Sequence, residues 1–351
     1  MIRIDEIYQN VFLPIAAARD KIGLHWFDPF GSTRIEDICS LPAVDIIAKQ
    51  RIIFWDQEPV SLERTDLFLS EFQKNYFGPL TLVTSEKNSE SVKNLSEKHG
   101  LKTSYYFFHA WAALDWYRGY NHSFLCKKFV DREIQHNFLC LNNIIGGERK
   151  HRIYLLKELI DHGLIENNLI SFPKICPFEN LSIYDLIEKY QIDLSLGNIK
   201  LPLIVDRDAA HQTNSHQINL WPQADQSLIQ IVTETVYFGK RQHLTEKSFK
   251  PIVMQQPFIL VSCQGSLDYL RSYGFRTFSE FWDESYDDAD DSTRISKIGK
   301  ILTDLNSMSS NERRNLQKHI ASTVDYNFNW FHSREFEQLL WKELTSMIDC
   351  W

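Results

Sequence analysis

Short runs of consecutive apolar residues alternate along this chain with stretches in which apolar residues recur every three or four positions. Arg51–Trp55 (RIIFW), Leu80–Thr84 (LTLVT), Asn137–Asn142 (NFLCLN), Leu169–Phe172 (LISF), Leu228–Glu234 (LIQIVTE) and Pro257–Ser262 (PFILVS) are too short for buried helices. They read as strands covered on both faces, the kind that build parallel sheets. Lys102–Phe108 (KTSYYFF) reads as another strand, leading into His109. Helical spacing falls between them. Ser85–His99 ends at Gly100, and His151–Asp161 carries Ile153, Leu155, Leu156, Leu159 and Ile160 before Gly163. Ser182–Ile192, Glu246–Met254 (with Pro251 as a kink) and Ser266–Tyr273 before Gly274 follow. Ile295–Leu305, Ser310–Val324 with Ser309-Ser310 available as a cap, and Arg334–Ile348 close the chain. Strands and helices in alternation predict an α/β fold with parallel sheets.

The length of 351 residues suggests two domains at about 150 residues each. The charged, strand-free segment Cys126–His136 marks a junction. The expected division is 1–132, 133–325 and a terminal helix over 326–351, with packing back on the first domain or pairing with another chain as its alternatives. Lys and Arg number 38 against 46 Asp and Glu, a net charge of −8. A broad basic surface for nucleic acid is therefore disfavoured, although a local basic pocket is not. No apolar run approaches the roughly 18 residues of a membrane helix. Asp5 and Glu6 stand where a signal peptide would carry positive charge, so a cytoplasmic start is expected. The six cysteines show no C-x-x-C spacing and read as free thiols.

The segment Ile231–Phe278 is richest in chemistry. A strand ends at Glu234, a loop carries Lys240, Arg241 and His243, and Thr245-Glu246-Lys247 opens a helix. Ligands of open α/β sheets bind beyond the carboxyl ends of strands, and helix N-termini attract phosphate. A lysine in the first turn offers a point charge to a diphosphate, and a carboxylate beside it suits a ribose diol. The plainer alternative is a surface helix capped by Thr245, with Glu246 favourable to its dipole. In Phe138–Arg152 (FLCLNNIIGGERKHR) a strand ends at Asn142, and Arg149, Lys150, His151 and Arg152 sit at the turn into a helix. These cations are placed to meet a diphosphate, the two arginines bidentately. A solvated basic turn is the alternative.

Glu234-Thr235, twelve residues to Glu246, then Thr245-Glu246-Lys247 and a strand led by Pro257, resembles the donor-site motif of α1,3-fucosyltransferases. That motif reads E-N-S, a spacer, Y-I-T-E-K, a helix and a V-P-V-V strand. The chain is also similar to phage and bacterial glycosyltransferase-like proteins. That likeness rests on T-E-K-x-x-K-P-I, the Q-P-F segment, Gly274-Phe275 and Phe281–Asp287, and covers about 137–290. The resemblance implies a GT-B fold: two Rossmann-like domains facing a cleft, the sugar nucleotide on the C-terminal one. It implies that Glu246 holds the ribose hydroxyls, Lys247 the diphosphate, and that Glu234 lines the same pocket with Asn142, Arg149, Arg152 and Thr245. Thr235 stands where the fucosyltransferases have Asn, so base and sugar are not carried over. The E-x7-E spacing of retaining enzymes is not met.

A hexosyl- or fucosyl-type transferase follows as the expected activity, with a nucleotide-diphosphate sugar as co-substrate and neither metal nor resident cofactor. The acceptor is a carbohydrate or other hydroxyl; modified DNA is the alternative, and so is a non-catalytic nucleotide-binding protein. Proton removal needs a base opposite the donor. Asp56 or Glu58 in Trp55–Pro59 (WDQEP), or His109, is expected to supply it; a turn built on Asp56 and Pro59 is the alternative. Asp206-Arg207-Asp208 mimics a metal-binding D-x-D. Asp283–Asp291 holds six acids without calcium-loop spacing and reads as a solvated acidic loop.

Overall fold

Every residue of Leu80–Thr84 is buried, as a doubly covered parallel strand requires, and this strand lies inside the first of two four-stranded sheets. The structure, a computed structural model, describes residues 7–19, 22–26, 51–56, 62–118, 127–205, 218 and 220–351. The chain forms two units. One comprises Met1–Asp115, Lys240–His243 and Glu337–Trp351; the other comprises Trp116–Gly239 and Leu244–Phe336.

In the first unit helix α1 (Leu13–Ala18) precedes β1 (Ile22–Trp26) and β2 (Arg51–Asp56). Helix α2 (Leu62–Phe72), β3 (Leu80–Thr84), α3 (Glu90–His99), β4 (Lys102–Tyr105) and α4 (Phe108–Tyr117) follow. The strands lie in the order β1-β2-β3-β4, all parallel, with Phe54 opposite Leu82 and Thr84 opposite Tyr105. Phe68, Leu69 and Phe72 of α2 pack with Leu80, Leu82, Val92 and Leu95 into one apolar cluster. Ser89 caps α3 by accepting the Val92 N–H at 3.3 Å, and Gly100 leaves the helix at φ +64°. Lys102–Phe108 departs from expectation. The strand stops at Tyr105, and Phe108 opens α4, because the apolar Ala110–Leu114 buries all round as helix. Helix α1, strand β1 and helix α2 were not expected either. Gly23 and His25 interrupt the apolar run of β1, and α2 carries its stripe amid charged residues.

The second unit contains β5 (His136–Leu141), α5 (His151–Asp161), β6 (Leu169–Ser171), the hairpin β7 (Ile175–Cys176) and β8 (Leu181–Ser182), and α6 (Ile183–Lys189). Then come α7 (Trp221–Gln226), β9 (Ser227–Thr233), α8 (Glu246–Val253), β10 (Phe258–Val261) and α9 (Ser266–Ser272). The helices α10 (Asp291–Asn306), α11 (Ser310–His332) and α12 (Arg334–Asp349) end the chain; α12 passes into the first unit after Phe336. The sheet order is β10-β9-β5-β6, again all parallel. Helix α11 runs eight residues beyond Val324, since no Gly or Pro interrupts it and its last turns find partners. Trp330 Nε1 donates to the Tyr273 carbonyl at 2.7 Å, and Asn327 exchanges two hydrogen bonds with the Arg276 backbone. The buried guanidinium of Arg294 donates to the Tyr237, Ser262 and Ala289 carbonyls, tying together the segments that leave β9 and β10.

Candidate functional site

Strand β5 starts the second sheet, β6 is laid on one side of it, and β9 and β10 are laid on the other. Chain direction across the sheet therefore reverses between β5 and β9. Crevices at such a reversal are where open α/β sheets take ligands. Asn142, directly after β5, reaches across this point: its Oδ1 accepts the Thr233 hydroxyl at 2.8 Å.

Arg152, in the first turn of α5, is 5% exposed. Its Nη1 donates to the Ile144 carbonyl at 2.8 Å, and its Nη2 to the Thr233 and Glu234 carbonyls at 3.0 and 3.3 Å. Burial and the nearby charge of Arg149 pull it down to about 10, so it stays charged at neutral pH. Both Nη groups are thus spent on backbone, and Arg152 staples the strand ends rather than projecting outward. Half-buried Arg149, on the turn before α5, brings a second guanidinium close by. The intervening His151 is fully buried and stacks on Tyr237 at 5.0 Å; burial holds its imidazole well below the usual range. Lys150 lies over the rings of Tyr190 and Phe238.

Glu234 is completely buried and accepts four hydrogen bonds. Its Oε1 takes the Thr245 N–H at 3.0 Å and the Ser248 hydroxyl at 2.6 Å. Its Oε2 takes the Thr245 hydroxyl at 2.6 Å and the Thr235 N–H at 3.2 Å. The carboxylate therefore occupies the amino end of α8, where a helix dipole favours negative charge. Its place is in the scaffold of the site. Thr245 caps α8, accepting the Lys247 N–H at 3.4 Å. The Lys247 ammonium donates to Glu246 Oε1 at 2.9 Å and to the Thr245 and Thr235 hydroxyls at 3.2 and 3.4 Å. Arg152 and Lys247 thus bind opposite ends of one short segment, Thr233–Thr235. Glu246 is 5% exposed, whereas about a third of the Lys247 side chain remains open.

The sequence assigned no role to one residue of this cluster, the second lysine of T-E-K-x-x-K-P-I. Lys250 follows Lys247 by three positions on α8, and burial pulls its ammonium down to about 8, with Lys247 reinforcing the effect and Glu246 opposing it. The i, i+3 spacing of the two lysines was the available signal.

In the first unit Asp56 ends β2, while Glu58 lies outside the described residues. His109 sits in the first turn of α4, 5% exposed, its ring 5.0 Å from that of His243. The loop Lys240–His243, read from sequence beside the Glu246 chemistry, belongs to this first unit. Its Gln242 pairs with Lys87 through two backbone bonds, the Lys87 N–H donating at 2.9 Å and the Gln242 N–H at 2.7 Å. Around it gather Ser85, whose Oγ is 3.3 Å from His243 Nδ1, and the buried pair Glu86–Arg241 at 3.4 Å. Sequence spacing held no signal for Ser85 and Glu86.

Asp206 and Asp208 lie outside the described residues, among which no three His, Cys, Asp or Glu side chains are grouped to hold a metal ion. Among the acids of Asp283–Asp291, Asp283, Asp288 and Asp290 are exposed as a solvated loop requires, whereas Glu284 and Asp287 are buried, and several of the six hold backbone N–H groups. Glu284 accepts the Phe278 N–H, Asp287 the Leu267 and Asp268 N–H groups, and Asp290 those of Ser292 and Thr293.

No protein family and no curated protein sequence matches the chain. Among solved structures it is similar to a DNA-modifying enzyme, β-glucosyltransferase, determined in the presence and absence of uridine diphosphoglucose. The TM-score is 0.49 at 11% identity, over 99% of this chain and 84% of that one. A likeness of this extent transfers neither ligand nor reaction.

Proposed function

We propose that the chain is a GT-B-type glycosyltransferase that moves a sugar from a nucleotide-diphosphate donor to an acceptor hydroxyl without a metal ion. The observation carrying this reading is the cluster at the β5/β9 reversal, where Arg152 and Lys247 bracket Thr233–Thr235 and Glu246 stands beside Lys247. Lys247 and Arg149 meet the diphosphate, and Glu246 accepts hydrogen bonds from the ribose hydroxyls. Asn142, Arg152, Glu234 and Thr245 hold these groups in place. The acceptor oxygen attacks the anomeric carbon as the bond from that carbon to the β-phosphate oxygen breaks. The electron pair stays on the diphosphate, where fixed cations stabilise it as charge develops. The hydroxyl proton passes to a base, for which Asp56, Glu58 and His109 are the candidates.

Thermal denaturation of the full chain with UDP, GDP, CMP and dTDP tests the reading. One nucleoside diphosphate at a hundredfold excess over its Kd should stabilise the protein by about 2.7 kcal/mol. Lys247→Gln and Glu246→Gln should lose that shift and donor turnover while keeping the far-UV spectrum of the wild type. No shift with any nucleotide, together with no hydrolysis of sugar nucleotides, overturns the proposal, and so does wild-type turnover by both variants.

A further inference from the structure

Helix α8 carries two lysines of contrasting situation. The Lys247 ammonium has three oxygens within 3.4 Å, from Glu246, Thr245 and Thr235. Lys250 makes no hydrogen bond or ion pair through its ammonium among the described residues, although the residue is partly buried. Its helix neighbours Phe249, Pro251, Ile252 and Val253 are buried, so the stem leaves the helix amid apolar surface. An ammonium taken out of water without a partner is costly, and a packing role would be served better by an uncharged chain. The local charge sum sharpens the point. Glu246 is already in contact with Lys247, so Lys250 has only that carboxylate's longer-range attraction and no ion pair of its own among the described residues. Residues three apart share a helix face, which places Lys250 beside Lys247.

We infer that Lys247 and Lys250 together form the seat of the diphosphate, with Lys250 supplying a charge that no described residue meets with a hydrogen bond or ion pair. The inference rests on the donor reading given above and adds a specificity-determining residue to it. A diphosphate can give each ammonium a phosphoryl group of its own, the terminal one meeting Lys250, whereas a monophosphate brings only the group that meets Lys247. The lowered affinity of Lys250 for its proton agrees with this surrounding: burial and Lys247 both disfavour the charge, and a bound anion restores it.

Titration calorimetry on the full-length protein tests the inference with inorganic pyrophosphate and with the mono- and diphosphates of one nucleoside. Wild type should bind the diphosphate more tightly than the monophosphate. Lys250→Gln should weaken diphosphate and pyrophosphate binding by roughly tenfold to a hundredfold, the range of one charge-assisted hydrogen bond, and leave monophosphate affinity within about threefold. Lys250→Arg, which keeps the charge, should recover part of the loss. A lysine that only packs would keep or raise thermal stability in Lys250→Met and leave the diphosphate-to-monophosphate ratio unchanged in both Lys250→Met and Lys250→Gln; that result overturns the inference while the donor reading stands. Binding of pyrophosphate but of no nucleotide by wild type, lost in Lys250→Gln, supports the seat and overturns the donor reading. Wild type that binds neither overturns both.

Discussion

Asp287 shows what burial does to a single side chain. Its carboxylate accepts the Leu267 N–H at 3.0 Å and the Asp268 N–H at 3.3 Å, yet burial outweighs these bonds and pushes its pKa up to about 6. The folded state therefore holds a proton that the unfolded chain, titrating near 3.8, has released. The resulting contribution to stability is complete below about pH 4 and is lost as the pH rises through 6. Asp287→Asn removes this titration. Urea denaturation of both proteins between pH 4 and 7 should show the stability of the wild type falling relative to the variant as the pH rises. An unchanged difference across that range would show that Asp287 does not titrate there. Such partnerships were invisible in the sequence, because Asp287 meets Leu267 across 20 positions and Glu234 meets Thr245 across 11. Local caps were legible. Thr245, Ser309 and Gly100 act within a turn of themselves, and the structure bears them out.

Among the elements, the runs with one unambiguous period were legible. Leu80–Thr84 and His151–Asp161 have the bounds expected, and Pro257–Ser262 is trimmed only to Phe258–Val261. The aromatic Lys102–Phe108 was not, because β propensity and helix packing disagree over Tyr106–Phe108 and the neighbours decide. Glycine at 274 shows how two elements fix a turn. Its φ of +87° suits glycine, and an added Cβ would stand 2.6 Å from the Trp330 ring. That ring cannot retreat without losing its bond to the Tyr273 carbonyl. Gly274→Ala should therefore cost about 2 kcal/mol or more, read as a fall in the urea midpoint. A midpoint within error of the wild type would mean that α11 shifts to make room.

At the scale of the whole molecule, the two successive α/β patterns of the sequence are two parallel sheets in the structure. Return of the last helix to the first unit was one of two expectations for it, and no local pattern in the sequence chose between them. Glu337–Trp351 belongs to that unit although more than 200 residues of the second unit intervene in the chain. Leu340 and Leu344 are fully buried, Trp341 meets Trp111 edge-on at 4.9 Å, and Glu343 accepts the Phe107 N–H at 3.0 Å. At the far end Trp351 stacks on Phe12, and Arg19 donates to the Ile348 carbonyl at 2.9 Å. Contacts of this separation close large loops and slow folding. Leu340→Ala should cost about 2–5 kcal/mol, and its effect should appear in tryptophan fluorescence, since Trp111 and Trp341 report on this contact. A variant with the denaturation curve of the wild type would show that the last helix does not support the first unit.

The carboxylate of Glu234 has a consequence for how a guest would be received. Because the protein carries its own negative group at the amino end of α8, the surrounding loop is held from within by hydrogen bonds to Glu234. Such a receptor is preorganised: capture of a small molecule freezes few additional backbone rotations, and the strength of binding reflects the contacts themselves.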